Sequence, residues 1–121
     1  MKNYTRTDRV AQVIRAELAK VIQHEMEDRR MQLVTIVGVE VTRDFAYAKI
    51  FVSVLSDDDA EIADILTVLN KASKMLRYRL AQEVTLRKTP QLTFSYDDTI
   101  VKGNKISTLI NRLTQEDNNN E

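Results

Sequence analysis

Leu33-Val34-Thr35-Ile36-Val37-Gly38-Val39-Glu40-Val41-Thr42-Arg43-Asp44-Phe45-Ala46-Tyr47-Ala48-Lys49-Ile50-Phe51-Val52-Ser53-Val54-Leu55 is the stretch that decides the fold. It is rich in β-branched residues that alternate with a period of two. Thr35, Val37, Val39 and Val41 set out one face of a first strand, and Ala48, Ile50, Val52 and Val54 set out one face of a second. The break between them, Thr42-Arg43-Asp44-Phe45, is short and polar, so the two strands form an antiparallel hairpin. Gly38, inside the first strand, marks a bulge or a close backbone approach.

Outward from the hairpin the period changes to that of helices. On the N-terminal side Val10, Val13, Ile14, Leu18, Val21, Ile22 and Met26 recur at three- and four-residue steps, one apolar stripe on a helix of about 20 residues. Thr5 or Thr7 can cap it, with Asp8 placed to favour the N-terminal dipole. On the C-terminal side Ser56 to Asp59 supply an N-cap, and Ile62, Ile65, Leu66 and Leu69 return to helical spacing. Leu76, Leu80 and Val84 continue it after Asn70. The step of three or four from Leu69 lands on Ala72 or Ser73, both small, which predicts a kink near Ala72-Ser73-Lys74 between two helices. Pro90 bars further helix and opens a third strand in which Leu92, Phe94 and Tyr96 share a face. Ile100, Val101, Ile106, Leu109, Ile110 and Leu113 suggest a short closing helix, broken or delayed by Gly103. Residues 1–114 are thus expected to form a single domain, and the asparagine-rich 115–121 a disordered tail.

The predicted order is helix, strand, strand, helix, kink, helix, strand, with a terminal helix. Three strands with one face against the helices give a two-layer α+β domain. This is the order of a type II KH domain, a fold whose members mostly hold single-stranded RNA or DNA beside a turn between two helices.

Composition agrees with one globular domain: 121 residues, 43% hydrophobic and 30% charged, enough to bury a core unaided. With no cysteine, disulfides, thiolate zinc sites and a cysteine nucleophile are excluded. Met1 to Asp8 is polar and lacks the apolar core of a signal peptide, and no apolar run is long enough to span a bilayer, so a cytoplasmic location is expected. The 18 basic and 18 acidic residues cancel, but they are not evenly spread. Asp57, Asp58, Asp59, Glu61 and Asp64 occur without a basic neighbour. Lys71, Lys74, Arg77, Arg79, Arg87 and Lys88 follow with only Glu83 against them. A neutral chain can therefore present one positive surface.

Three segments carry a family resemblance: Thr5-Arg6-Thr7-Asp8-Arg9-Val10-Ala11 ahead of the first helix, Val39-Glu40-Val41-Thr42-Arg43-Asp44-Phe45-Ala46-Tyr47-Ala48-Lys49-Ile50 in the hairpin, and Leu86-Arg87-Lys88-Thr89-Pro90-Gln91-Leu92-Thr93-Phe94 with Tyr96-Asp97 at the last strand. In order and spacing, from about Thr5 to Leu113, the chain resembles the ribosome-binding factor A family. The resemblance implies a non-enzymatic, monomeric assembly factor. It would bind the free, immature small ribosomal subunit near the 5′-terminal helix of its RNA, assist maturation and RNA processing, and then leave. It also implies an Ala-x-Gly kink in place of the GxxG loop of other KH domains. Here Ala72-Ser73-Lys74 keeps the alanine and has lysine at the usual glycine position, and Asp28-Arg29-Arg30 replaces an Asp-Pro-Arg after the first helix.

The expected RNA-binding residues are Lys71, Ala72, Ser73, Lys74, Arg77, Tyr78 and Arg79 at the kink and the helix after it, with Arg87 and Lys88 before the third strand and Arg43 at the hairpin tip. If Leu76, Leu80 and Val84 face the core, Lys74, Arg77 and Tyr78 share another face, where cations can track phosphates and Tyr78 can stack on a base. Charge pattern alone favours a solvated helix face, and a basic helix that meets an acidic protein is a third reading. A generic KH module for single-stranded nucleic acid is the main alternative. Asp57-Asp58-Asp59 is read as a helix cap, although clustered carboxylates also suit magnesium. His24, off the apolar stripe, is read as a surface residue. Neither G-x-S-x-G, H-E-x-x-H nor a glycine-rich phosphate loop occurs, and with only two glycines a nucleotide-cradling loop has little material. No cofactor or metal is implied, and a metal-dependent nuclease is the enzymatic alternative.

Overall fold

Thr5 opens the first helix, α1 (Arg6–Glu25), with a capping box: its side chain accepts from the Asp8 amide at 3.2 Å while the Asp8 carboxylate accepts from the Thr5 amide at 3.0 Å. Two amides that the helix cannot itself satisfy are thereby paired. The computed structural model describes residues 5–97; the expected closing helix and the 115–121 tail lie outside them. Ile14, Leu18, Val21 and Ile22 of α1 are buried, with Val10 and Met26 partly so. Val13, counted in the stripe, is 39% exposed.

After α1 a five-residue 3-10 turn (Arg29–Leu33) leads into β1 (Val34–Val41). Asp28 caps the turn and the Arg30 guanidinium clasps the same carboxylate, reaching also Asp64 across the chain. Hydrogen bonding to Arg30 holds the Asp28 carboxyl below its usual pKa, and the Arg30 pKa is raised in return.

β1 pairs antiparallel with β2 (Tyr47–Val54), and β2 pairs parallel with β3 (Gln91–Tyr96), giving the sheet order β1-β2-β3. The register slips between Ile36 and Gly38, so the bulge expected at Gly38 is present. It also corrects the expected face of β1. Val34 and Ile36 lie on the core side before the bulge, and Val39 and Val41 after it, opposite Val54, Val52, Ile50 and Ala48 in turn. One extra residue reverses the parity of the strand, so Thr35 is exposed rather than sharing a face with Val39 and Val41.

Between β2 and β3 run α2 (Asp59–Lys71) and α3 (Ser73–Glu83). Asp58 caps α2 by accepting from the Ala60 amide at 2.9 Å, as expected of the acidic run. Ile62, Ile65 and Leu69 of α2, and Leu76 and Leu80 of α3, join α1 and the sheet in one core with no buried polar or charged residue among those described. Each fully buried aliphatic side chain there contributes roughly 1.5–3 kcal/mol. Helices on one face of a three-stranded sheet make a two-layer α+β domain. Among the described residues no helix is long and apolar enough to cross a membrane.

Candidate nucleic-acid interface

The kink is a single residue. Ala72 ends α2 and begins α3 at φ −85° and ψ 0°, its amide donating to Val68 and Leu69 carbonyls at 3.0 and 3.1 Å, its own carbonyl accepting from Leu76 at 2.9 Å. Only Phe45, among the described non-glycine residues, has positive φ. Lys74 therefore sits in ordinary helical backbone, where a lysine carries no conformational penalty. Ala72 is half-buried against the core, which explains its small side chain.

Asn70, two residues earlier, ties the end of α2 to β3. Its Nδ2 donates to the Phe94 carbonyl at 3.0 Å, and its Oδ1 accepts from the Phe94 amide at 2.8 Å. Among the described residues β3 is an edge strand, and Asn70 satisfies at Phe94 the groups that a further strand would pair.

Around this bend Lys71 and Lys74 are exposed, and neither has an ion-pair partner among the described residues. Tyr78, one turn further along α3, is 63% exposed. α3 starts without a side-chain cap, leaving its first amides without intrahelical acceptors. Because α2 ends where α3 begins, the opposite partial charges of the two helix ends largely cancel. The lysines therefore dominate the local field.

The other predicted residues are placed differently. Arg77 donates from Nε and an Nη to the Thr89 carbonyl at 3.0 and 2.8 Å, pinning the loop between α3 and β3. Arg79 turns to α1, where it pairs with Glu25, and donates within its own helix to Gln82; its Nε is buried with no partner among the described residues. Arg43, Arg87 and Lys88 are exposed at the hairpin end of the sheet, since β3 starts beside Tyr47. The ten residues thus form one patch at the kink (Lys71, Ala72, Ser73, Lys74, Tyr78), a second group at the hairpin end, and two arginines engaged within the protein.

The hairpin end holds residues the sequence reading passed over. Arg6, Val10, Asp44, Phe45, Thr85 and Leu86 line a groove of about 790 Å³ together with Arg87 and Lys88. Phe45 adopts φ 59°, a left-handed conformation that costs a bulky residue about 1–2 kcal/mol. It is held there by its turn: the Phe45 amide donates to the Thr42 carbonyl at 2.8 Å, the Thr42 hydroxyl to Asp44 at 2.7 Å, the Ala46 amide to Asp44 at 3.0 Å, and the Tyr47 amide to the Thr42 hydroxyl at 3.1 Å. The Thr42 hydroxyl, then the Ala46 amide, and more weakly Lys88 hold the Asp44 carboxyl below its usual pKa. The Thr-x-Asp turn was the sequence signal available for this.

Known proteins agree with this architecture. The family model of ribosome-binding factor A matches residues 6–110. A ribosome-binding factor A from Pseudomonas fluorescens strain Pf0-1 is 48% identical over 97% of this chain and 89% of its own length, and one from Pseudomonas aeruginosa strain PAO1 is 47% identical over 96% and 91%. The crystal structure of ribosome-binding factor A from Thermus thermophilus superposes with a TM-score of 0.65 at 25% identity, over 76% of this chain and 97% of that one. A Thermus thermophilus ribosome binding factor A model fitted into the cryo-electron-microscopy map of a 30S complex of that protein superposes with a TM-score of 0.58 at 27% identity, over 70% and 88%. With the family model matching residues 6–110 and relatives near 48% identical over almost the whole chain, this chain belongs to the ribosome-binding factor A family.

Proposed function

We propose that this chain is a cytoplasmic, non-enzymatic assembly factor of KH type. As a monomer it binds the free, immature small ribosomal subunit near the 5′-terminal helix of its RNA and assists maturation and RNA processing. The observation that carries the reading is the bend at Ala72 with Lys71 and Lys74 exposed beside Tyr78, neither lysine ion-paired among the described residues, in a family one of whose members has been fitted into a map of its 30S complex. Cations on a rigid bend grip phosphates, and an exposed ring beside them can stack on an unpaired base. Lys74 supplies through its ammonium the phosphate contact that backbone at a glycine would make directly.

Sedimentation of cell extract tests this. The protein should travel with free small subunits and be absent from translating ribosomes, whereas a generic single-stranded-RNA module would not make that distinction. Lys71→Gln with Lys74→Gln should weaken binding to purified immature subunits and flatten its salt dependence, each lost phosphate contact removing about 0.7–0.9 from the log-log slope. A double variant with the wild-type slope would move the interface away from the kink.

A further inference from the structure

The groove at the hairpin end combines features that one ligand chemistry satisfies together. Its apolar lining comes from three separate elements: Val10 of α1, Phe45 of the hairpin turn and Leu86 of the loop after α3. All three are half-buried, so part of each faces the groove and solvent. Its charged lining is Arg6, Arg87 and Lys88 against Asp44 alone. Arg6 and Arg87 have no ion-pair partner among the described residues. Asp44 is held in the turn through one oxygen, which accepts from both the Thr42 hydroxyl and the Ala46 amide, and the cations outnumber it three to one. The volume, about 790 Å³, falls within the roughly 300–1,000 Å³ usual for pockets that take small organic groups.

An occupant must therefore be apolar on its faces and anionic at its edge. A single nucleotide is built that way: a flat base for the apolar walls and a phosphate for the cations. Phe45 suits the role of stacking wall because its turn fixes the backbone that carries the ring, so that backbone need not be ordered on binding. The groove also lies away from the kink, at the other end of α3.

We propose that this groove is a second RNA contact, which takes one unstacked nucleobase between Phe45 and the Val10 and Leu86 side chains while Arg6, Arg87 and Lys88 hold the adjoining phosphates. It rests on the RNA-binding reading above but makes a different demand on the ligand. The kink offers its lysines to phosphates and leaves Tyr78 open on one side, whereas the groove encloses a base between walls from three elements.

The test is binding of a short uridine RNA compared with a strand of the same length that has the sugar-phosphate backbone but no bases. Wild type should prefer the base-bearing strand by about tenfold, within the range a stacked base contributes. Phe45→Gly removes the ring while accepting the positive φ, and should reduce that preference to about twofold. Arg87→Gln with Lys88→Gln, at exposed positions that do not threaten folding, should weaken both strands alike, by roughly three- to tenfold at low salt. Lys71→Gln with Lys74→Gln should lower affinity for both strands and leave the preference intact. If that kink variant binds as wild type while Phe45→Gly loses the preference, the kink reading fails and the groove stands. A wild type without preference, a preference that survives in folded Phe45→Gly, or an Arg87/Lys88 variant of unchanged affinity overturns the proposal. Free uridine monophosphate that competes as well as the oligonucleotide overturns it too, since the ligand would then be a free nucleotide and not a strand.

Discussion

Replacing Asn70 by alanine removes the clamp on the edge of β3. Asn70 makes two hydrogen bonds to the backbone of Phe94, at 3.0 and 2.8 Å, and Phe94 itself is 3% exposed. A buried amide left without an acceptor costs about 1–3 kcal/mol. Water can reach part of the vacated space, because Asn70 lies on the surface, so a loss of about 1.5 kcal/mol is expected. For a domain of this size that lowers the melting temperature by roughly 4–8 °C. Amide exchange provides the sharper assay. The Phe94 amide should exchange much faster in Asn70→Ala, while those of Ile50 and Val52 in the central strand should change only with global stability. A melting temperature within about 2 °C of wild type, or unchanged protection at Phe94, would refute the reasoning and assign the edge of β3 another guard.

Two further outcomes follow from the same framework. Ala72→Leu should overpack the bend against the core and destabilise by roughly 1–3 kcal/mol in chemical denaturation; wild-type stability would show that the site has room. Acid should weaken the protein through Asp28 and Asp44, whose pKa values are lowered in the folded state. A lowered folded pKa gives stability that is present above the unfolded value of about 3.9 and is lost as pH falls through the folded one. The melting temperatures of wild type and Asp28→Asn should therefore differ most near neutrality and converge below about pH 4; a constant gap would show that the charge on Asp28 is not what Arg30 stabilises.

The elements were legible because each is written in local periodicity. The α1 stripe, the hairpin, the kink at Ala72 and the strand after Pro90 all depend on residues a few positions apart. The failures share a cause. Alternation along β1 could not survive Gly38, since a bulge shifts every later side chain to the opposite parity, and sequence marks the bulge without saying which half keeps the core. Arg77 and Arg79 read as part of a positive face because their partners, the Thr89 carbonyl and Glu25, are reached only through the folded chain. Asn70 gave no signal, for its hydrogen bonds run to backbone, which every residue offers equally. The groove at Phe45 joins α1, a turn and a loop, and no spacing rule connects them.

The parallel pairing of β2 with β3 has a consequence for how this protein can change over time. Helices of 13 and 11 residues laid straight would run roughly 36 Å at ~1.5 Å per residue. The six residues of β3 cover roughly 20 Å at ~3.3 Å each. The connection that returns the chain to the head of β3 is thus too long to be one rod, and the surplus must be folded away at a corner. That corner is Ala72. Any lineage that keeps β3 in register beside β2 keeps a corner between the two helices, whatever side chains decorate it. The corner is in this sense inherited with the sheet, and variation is left to the side chains around it, such as the exposed Lys71 and Lys74.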